Sequence, residues 1–568
     1  MIVQRQLRAT DTFIFLLLRR MRAPLIVLIV SFSISILGFV LIPGVDDQGN
    51  VWHMDFFHAF YFTSYMATTI GFGELPYPFT ELQRFWTIVS IYITVISWLY
   101  AFGTIISLLQ DSTFRQIVKE SGYSRYIRRI RDPFYIICGY GDTGHMLLHS
   151  LTERGYQAIV VDNDPQRINA LPIENHPVYI PGMSVDAEDS GHLKKAGLMH
   201  PMCAGVAAIT GDDKANLKIA ITVKLLNPSL QVVCRAESQA IADNMNSFGT
   251  DYIVTPFRNY ASLLSIALHS PVQCQLYNWL YGLSRTVVAE KIAPPSGFWV
   301  ICGYGRMGKA LHQRFTEAGM EVMVINKNAK VAPPGTVAGK GTEAHTLEEA
   351  NIGRAVGIIA ATDDDTDNLS IIMTARDLNP ELYIVIRQNS YANEALFKAA
   401  NVDFIMQNSF MIAREATAYF TAPLLGRFLS QMVRRSNADA ELLLKRIQAA
   451  VADGEAPSTW GVDMTDVGAA GACSWLRSGK RLSISDLLQE FSHHGEEARL
   501  MVLTVVRDGI EHLLPADSFN FSEGDQILFC GQRGHKRHMR FWLSDQVALN
   551  YSMQCFEQEQ ATLKETSA

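Results

Sequence analysis

Cysteine is scarce in this sequence, and its spacing excludes two common uses of the residue. Only eight cysteines occur in 568 residues, and no two of them form a C-x-x-C pair. Most lie in apolar runs typical of strands, so we predict reduced, buried thiols in a cytosolic body, without a disulfide framework or a zinc site. Positive charge is also in deficit. The net charge of −7 argues against a general nucleic-acid-binding protein, and we predict no nucleic-acid partner.

Charged residues are missing from two long apolar runs, Ala23–Gly44 and Phe85–Gln110. A helix of 22 residues spans the hydrocarbon core of a bilayer, which is roughly 30 Å thick. A cleavable signal peptide is the alternative for the first run. It is disfavoured because the run is too long, follows a 22-residue segment and lacks a small-residue cleavage site. Two membrane-spanning helices are therefore predicted.

Basic residues are concentrated before the first run and after the second. Five arginines lie in residues 1–22 and six basic residues in 111–131, whereas the loop between the runs carries five acids and a single arginine, Arg84. The positive-inside rule then places both termini in the cytoplasm of a multi-pass protein of the cell's inner (plasma) membrane. No stretch carries arginine at every third position, so no voltage sensor is predicted.

The loop between the runs contains Thr69-Ile70-Gly71-Phe72-Gly73, in which glycines alternate with larger residues. Glycine adopts φ > 0 without a Cβ clash, so the carbonyls of residues 69–72 can all turn to the same side. Four copies around an axis would form rings of oxygens that replace the hydration shell of K⁺. This interpretation requires a homotetramer. The alternative is a tight Thr/Gly turn between two helices.

This segment resembles the selectivity filter of potassium channels, whose usual string is Thr-Val-Gly-Tyr-Gly-Asp. Three residues depart from that string: Ile70 replaces valine, Phe72 lacks the tyrosine hydroxyl, and Glu74 lengthens the aspartate. The resemblance implies K⁺ selectivity, with one hydrogen bond behind the filter lost at Phe72. Asp55–Thr68 is expected to form the short helix that dips into the membrane before the filter, with Asp55 in its first turn.

The rest of the chain is a tandem repeat. Ile137–Gly144 matches Ile301–Gly308 at an offset of 164, and Thr210–Leu217 matches Thr362–Leu369 at an offset of 152. Each copy alternates short apolar runs with helical runs, which indicates a doubly wound parallel sheet of Rossmann type.

Each copy carries G-x-G-x-x-G after its first strand, a pattern that brings a pyrophosphate close to a helix N-terminus. Asp162 follows the second strand of the first copy and can bind ribose hydroxyls, whereas the second copy has Asn326-Lys327 there and Arg306 in its glycine loop. We therefore predict NAD or ADP/ATP in the first copy. The second pocket is either degenerate or suited to a phosphorylated ligand. The alternative for both is that the glycines only allow close strand–helix packing. The predicted nucleotide-binding residues are Gly139, Tyr140, Gly141, Asp142, Thr143, Gly144, Asp162, Asn163 and Arg235. Those of the possible second site are Gly303, Gly305, Arg306, Gly308, Asn326, Lys327 and Arg387.

The tandem resembles the RCK domains (regulators of potassium conductance) that lie below some potassium channels. The resemblance covers residues 132–271 and 298–425, and residues 505–531 look like the small C-terminal lobe of such domains. It implies pairing through the helices that follow each sheet, here Phe257–His269 and Ser409–Met432, in a gating ring built by the four chains. The expected organisation is 1–22 N-terminal segment, 23–110 pore, 111–132 linker, 133–293 first RCK domain, 296–435 second RCK domain, 436–548 α+β lobe of the second, and 549–568 disordered tail.

A run of acids, Asp363, Asp364 and Asp365, suggests a Ca²⁺ site, since the RCK family includes members gated by divalent ions. The run lacks the order of an EF-hand and lies where a helix should begin, so solvated carboxylates at a helix start are the alternative.

A ligand-gated potassium channel, not an enzyme, is the leading expectation. The alternatives are a membrane-anchored NAD-dependent oxidoreductase, for which no substrate domain or catalytic constellation is recognisable, and an accessory regulator of a separate transporter.

Overall fold

The computed structural model describes residues 9–74, 76–111, 122–123, 125–282, 292–451, 456–492, 499–532 and 534–555, with side chains described from residue 19. Most of the predicted linker, residues 112–121 and 124, lies outside the described residues. The chain forms two units that divide between Ile130 and Arg131, and each is described on its own.

The N-terminal unit contains two helices long and apolar enough to cross a membrane. The first, α1, covers Ala9–Leu41, and the last, α3, covers Glu81–Gln110. The stretch 9–22 is therefore part of α1 rather than a separate segment. Helix α3 begins four residues before the predicted run because Thr80 and Gln83 form a capping box at its N-terminus.

Between these helices lie a two-stranded antiparallel pair, Gly44–Val45 (β1) and Val51–Trp52 (β2), and the short helix α2, Phe56–Ala67. Close packing of α1 on α3 depends on Gly38, because a Cβ there would lie 2.0 Å from the Trp86 indole. The Trp86 Nε1–H donates to the Ser35 carbonyl at 3.1 Å, which anchors the ring across the interface.

The C-terminal unit begins with a six-stranded parallel sheet in the order β5-β4-β3-β6-β7-β8. The strands β3 to β8 are Phe134–Cys138, Gln157–Asp162, Gly182–Ser184, Cys203–Ala208, Gln231–Arg235 and Tyr252–Val254. The helices α4 to α10 are Asp142–Glu153, Pro165–Ala170, Ser190–Lys195, Asp213–Leu226, Gln239–Ser247, Pro256–His269 and Pro271–Leu280. Helices cover both faces, so these strands are apolar along their whole length.

The second copy repeats this sheet in the order β11-β10-β9-β12-β13-β14, again with all strands parallel. The doubly wound fold predicted for both copies is therefore confirmed. The strands β9 to β14 are Phe298–Cys302, Glu321–Asn326, Val337–Ala338, Gly357–Ala360, Tyr383–Gln388 and Phe404–Gln407. The helices α11 to α16 are Arg306–Glu317, Ala344–Glu349, Asp365–Leu378, Glu394–Ala399, Asn408–Thr421 and Leu425–Met432.

In each copy, the helix that follows the last strand of the sheet packs on the other copy. Helix α9 of the first copy packs on α11 of the second, and α15 of the second packs on α4 of the first. Phe257 thus joins a core with Trp299, while Phe420 lies against Tyr135, with ring centroids 4.5 Å apart. The predicted pairing helix Ser409–Met432 is in fact two helices, α15 and α16.

A small α+β lobe follows, as predicted. Its antiparallel sheet has the order β15-β18-β16-β17. The strands β15 to β18 are Ser458–Asp463, Leu500–Arg507, Ile510–Leu513 and Gln526–Gly531, and the helices α17 to α20 are Asn437–Ala449, Ala470–Arg477, Ile484–Glu490 and His535–Ser544.

The predicted disordered tail is partly wrong. Residues 546–555 are helical, and Leu549 and Met553 are buried in the apolar core of the lobe. Apolar side chains four residues apart on this last helix supply the burial that orders it. Residues 556–568 lie outside the described residues. The cysteine prediction agrees with the structure: all eight are free, and seven are buried.

Candidate selectivity filter and ligand pockets

The filter loop alternates left-handed and ordinary backbone conformations. Thr69, Gly71 and Gly73 have φ of 64°, 67° and 101°. Within the described part of one chain, a Cβ at either glycine would meet nothing within 4 Å, so the positive φ rather than crowding inside the chain favours glycine at these positions. The loop is tied to the end of α2, because the Ile70 N–H donates to the Tyr65 carbonyl at 2.9 Å. Asp55 caps the other end of α2 by accepting from the His58 N–H at 2.7 Å.

Tyr65 supplies a hydrogen bond behind this loop that the sequence did not reveal. Its hydroxyl donates to the Gly73 carbonyl at 2.6 Å, and its ring lies edge-on to Phe72, with centroids 5.4 Å apart. A helical tyrosine eight residues before Gly73 thus contributes a donor beside the residue that lacks one. The aromatic-rich sequence of α2 was the only signal for it.

Glu74, which closes the loop, is held by the single arginine of the region. Its Oε1 accepts from Arg84 Nε at 2.9 Å, and its Oε2 accepts from the Phe79 N–H at 2.9 Å. The hydrogen bond from Arg84 holds the pKa of Glu74 below its usual value. The longer carboxylate is therefore charged and anchored at neutral pH.

The glycine loop of the first copy combines packing and binding features. A Cβ on Gly144 would lie 2.1 Å from the Gly139 carbonyl oxygen, and one on Gly139 (φ 102°) would lie 2.9 Å from the Thr210 backbone. These two glycines therefore serve strand–helix packing. Gly141 has space around it and is the N-cap of α4. Because glycine has no capping side chain, the first N–H groups of α4 are available to an anion.

Asp162 lies at the end of β4 and is 6% exposed. Its Oδ2 accepts from the Tyr140 N–H at 2.5 Å, and its Oδ1 accepts from the Asp164 N–H at 2.8 Å. Asp162 thus positions the glycine loop. Each carboxylate oxygen can accept two hydrogen bonds and here accepts one, so both retain capacity for ribose hydroxyls.

The other predicted residues of the first site differ in their surroundings. Thr143 is buried and Asn163 is exposed. The buried Tyr140 side chain donates to Glu174 at 2.5 Å. Arg235 forms an ion pair with Glu237. Asp142 accepts from the Tyr391 N–H of the second copy at 2.9 Å, a contact between copies that the sequence did not predict.

The second glycine loop has the same backbone geometry. A Cβ on Gly308 would lie 1.9 Å from the Gly303 carbonyl oxygen, and Gly305 has open space. Asn326 takes the place of Asp162, since its Oδ1 accepts from the Tyr304 N–H at 3.1 Å. The loop opens on a cavity of about 300 Å³, which Arg306, Lys327 and Arg387 also line.

Arg306 reaches across to the first copy. It forms an ion pair with Glu237, and its guanidinium lies 5.1 Å from the centroid of the Phe257 ring. Arg387 lies 5.2 Å from the centroid of the same ring. Both predicted arginines of the second site therefore lie at the contact between the two copies.

The prediction of a Ca²⁺ site at Asp363, Asp364 and Asp365 is not supported. Asp364 caps α13 by accepting from the Thr366 N–H at 2.8 Å, and Asp365 accepts from the Asn389 N–H at 2.7 Å. In the part of the chain that the structure describes, no group of three or more His, Cys, Asp or Glu side chains is arranged to hold a metal ion. Asp364 and Asp365 thus accept hydrogen bonds from backbone N–H groups, in line with the helix-start alternative.

Comparisons with known proteins match both units. Residues 135–256 and 299–408 match the family described as TrkA-N domain, and residues 25–111 match the family described as Ion channel. These ranges coincide with the two parallel sheets and with the α1–α3 region.

Among curated relatives, Potassium channel protein 1 of Methanocaldococcus jannaschii is 28% identical over 36% of this chain. The chain covers 59% of that relative's length. The Trk system potassium uptake protein TrkA homolog of Methanothermobacter thermautotrophicus is 30% identical over 26% of this chain and 70% of its own length. A solved structure described as the GsuK channel bound to NAD aligns over 93% of this chain and 98% of that chain, at 16% identity and a TM-score of 0.48. The family matches and the TrkA relative together show that this chain belongs to the potassium channels that carry TrkA-N, or RCK, domains.

Proposed function

We propose that this chain forms a ligand-gated potassium channel in which four copies line one pore. The observation that carries the proposal is the alternation of left-handed residues at Thr69, Gly71 and Gly73, between two helices of membrane-spanning length. Such alternation lets the carbonyls of residues 69–72 turn to one side, where four chains together replace the water around K⁺. The homotetramer lies in the cell's plasma membrane with both termini in the cytoplasm, as the flanking charges favour.

The regulatory ligand of the first RCK domain is a nucleotide, NAD or ADP/ATP. Two features support it: the uncapped N-terminus of α4 at Gly141 and the spare acceptor capacity of Asp162. The first suits a pyrophosphate and the second suits a ribose diol. Together they suit a dinucleotide or an adenine nucleotide.

Modest ligand selectivity is enough to switch such an assembly. A shift from 1:99 to 99:1 requires about 5.5 kcal/mol of differential affinity. Spread over four equivalent sites, this is about 1.4 kcal/mol for each, within the usual range of coupling free energies. The segment 111–132 joins the two units and would carry the coupling.

K⁺ flux into liposomes that contain only this purified chain tests the function. Gly71→Ala opposes a φ of 67°, which costs about 1–2 kcal/mol per copy, and we expect it to abolish Ba²⁺-sensitive flux while leaving the tetramer intact. The matched control is Gly49→Ala, because Gly49 also has a positive φ (83°) and open space but lies in the β1–β2 turn. Chemical cross-linking checks the tetramer in both variants.

Normal K⁺ flux from Gly71→Ala would refute the filter assignment. No flux from the unaltered chain, together with NADH turnover, would indicate the oxidoreductase. No flux and no turnover would indicate an accessory regulator.

A further inference from the structure

The pocket of the second RCK domain differs from the first in charge rather than in backbone shape. At the position of Asp142 the second copy has Arg306, and at those of Asp162 and Asn163 it has Asn326 and Lys327. The loops that hold these residues make the same hydrogen bond. The backbone N–H of Tyr140 in one copy and of Tyr304 in the other donates to the side chain at the end of the second strand. The two pockets therefore share a backbone arrangement and differ in the charge of their side chains.

A fourth position follows from the backbone. The Val185 N–H donates to the Asp162 carbonyl, and the Gly339 N–H donates to the Asn326 carbonyl, so the next residues, Asp186 and Lys340, correspond. Across the four positions, three negative charges in the first copy become three positive charges in the second.

Four cations line the cavity of about 300 Å³ in the second copy: Arg306, Lys327, Lys340 and Arg387. Two acids, Asp363 and Asp367, also line it, and Asp367 lies 3.3 Å from Lys340 and 3.9 Å from Lys327. A net positive charge remains. A cavity of this size with an excess of cations at a helix N-terminus suits an anion.

Arg387 adds an independent observation. In the first copy the corresponding Arg235 pairs with Glu237, but in the second copy Asn389 takes the place of that acid and donates to Asp365. The Nε of each arginine is buried without a hydrogen-bond partner among the described residues, but only Arg387 also lacks the neighbouring acid. A buried guanidinium donor that faces a cavity is satisfied when an anion enters.

Asn326, in contrast, offers a ribose diol one acceptor oxygen instead of two. Its Oδ1 accepts from the Tyr304 N–H at 3.1 Å, and its Nδ2 donates to the Asn328 carbonyl at 2.9 Å. Both ends of the amide are engaged, and the carboxylate that would accept from two hydroxyls is missing.

We propose that the pocket of the second RCK domain is a polyphosphate site, which recognises a chain of phosphates by charge and does not read a ribose diol. The phosphates lie at the N-terminus of α11 and contact Arg306, Lys327, Lys340 and Arg387. A nucleoside triphosphate and inorganic polyphosphate both present this chemistry. This proposal deepens the ligand regulation described above, but the binding it requires does not depend on K⁺ conduction.

The ligand also acts on the contact between the two copies. Arg306 is shared, because it lines the cavity and pairs with Glu237 of the first copy. A bound phosphate therefore competes with Glu237 for the same guanidinium. Glu237→Gln frees Arg306, and we expect it to tighten polyphosphate binding by up to about fivefold, the range of a partly exposed ion pair.

Calorimetric titration of the full chain in detergent tests the site. NAD is titrated first, and inorganic tripolyphosphate and ATP are then titrated with NAD saturating the first copy, which is itself proposed to bind NAD or ADP/ATP. We expect the double variant Lys327→Gln, Lys340→Gln to lose at least about tenfold in affinity for tripolyphosphate and ATP, one charge-assisted contact being worth about 1.5 kcal/mol or more. NAD binding to the first copy should not change. The matched control is Lys330→Gln, which removes an exposed lysine outside the cavity.

Each outcome of the titration either supports or overturns the polyphosphate site. Equal binding of tripolyphosphate and ATP supports the site and indicates inorganic polyphosphate as its ligand, and tighter ATP binding supports it with a nucleoside triphosphate. Binding of ATP without tripolyphosphate overturns it, and so does unchanged affinity in the double variant or an equal loss in Lys330→Gln. Loss of K⁺ flux with intact tripolyphosphate binding would separate failure of the channel proposal from failure of this one.

Discussion

The Tyr65 hydroxyl donates a hydrogen bond to the Gly73 carbonyl at 2.6 Å, from the short helix to the last residue of the filter loop. This bond lies beside Phe72, the residue whose missing hydroxyl suggested a weakened filter. It ties the end of the loop to α2, and the Tyr65 hydroxyl donates to the carbonyl of Gly73 rather than to those of residues 69–72.

Tyr65→Phe removes this hydrogen bond and keeps the ring. We expect a loss of about 1 kcal/mol of loop stability per copy, because a neutral hydrogen bond contributes about that much. The loop should then discriminate less between ions, with a lower K⁺-to-Na⁺ permeability ratio in planar bilayers. Tyr61→Phe is the control, since Tyr61 lies one turn earlier on the same helix and is exposed. An unchanged ratio in Tyr65→Phe would show that the filter does not rely on this bond.

Local patterns explain what the sequence could predict. The two apolar runs and the strand that ends at Asp162 depend on residues close together in the chain. Both helices and the strand were predicted, although α1 begins fourteen residues and α3 four residues before the predicted run. The Tyr65 bond was missed because it depends on how the loop returns past α2. The contact between Arg306 and Glu237 joins residues 69 positions apart in two different copies, and no spacing rule connects them.

Asp162 has two roles that substitution can separate. The second copy shows that asparagine at this position still accepts the hydrogen bond from the glycine loop, as Asn326 does from Tyr304. Asp162→Asn should therefore keep the fold but weaken NAD or ADP effects on channel opening by about tenfold or more, because a charged acceptor for ribose hydroxyls is lost.

Asp162→Ala should weaken the same effects further and also lower the unfolding temperature, since the Tyr140 N–H then loses its partner. The dose dependence of single-channel open probability measures the first effect, and thermal unfolding measures the second. If Asp162→Asn leaves the dose dependence unchanged, the regulatory nucleotide binds elsewhere.

Gly144 should be intolerant of any side chain. Its Cβ would lie 2.1 Å from the Gly139 carbonyl oxygen, so Gly144→Ala forces β3 and α4 apart, with a loss of about 3 kcal/mol in unfolding free energy. Gly211→Ala is the matched control, because a Cβ at Gly211 would lie more than 4 Å from every described atom beyond its two chain neighbours, and Gly211 has no positive φ. It should change stability by less than about 1 kcal/mol. Tryptophan-fluorescence thermal unfolding of the full chain compares the two, and equal unfolding temperatures would contradict the packing role of Gly144.

Comparison of the two copies also explains why the Ca²⁺ prediction was not supported. Asp212 caps α7 and Asp364 caps the equivalent helix of the second copy, α13. Each aspartate accepts a hydrogen bond at 2.8 Å from the backbone N–H two residues further along the chain. The acidic run in the second copy therefore shares its local role with the first copy, where fewer acids occur. Sequence alone could not separate a capping run from a metal site because both place carboxylates at the same helix start.

Lys536 predicts a pH dependence of the contact between the C-terminal lobe and the first RCK domain. Its ammonium lies 4.2 Å from the centroid of the Tyr156 ring and hydrogen-bonds the Tyr156 hydroxyl, with Arg154 and Arg540 nearby. Burial, reinforced by these two arginines, lowers the pKa of Lys536 to about 7. In the unfolded chain the group keeps its ordinary pKa of about 10.4.

The folded protein therefore binds fewer protons than the unfolded chain between these two values, and its stability should rise with pH from about 7 to about 10. Lys536→Met keeps the apolar stem and removes the charge, so the variant should be more stable than the unaltered chain below pH 7 and show a flatter pH profile. Arg537→Met, at an exposed position on the same helix, controls for loss of a positive charge and should keep the original slope. Unfolding temperatures measured from pH 6 to pH 10 compare the three proteins, and a slope unchanged by Lys536→Met would mean that Lys536 is not the titrating group.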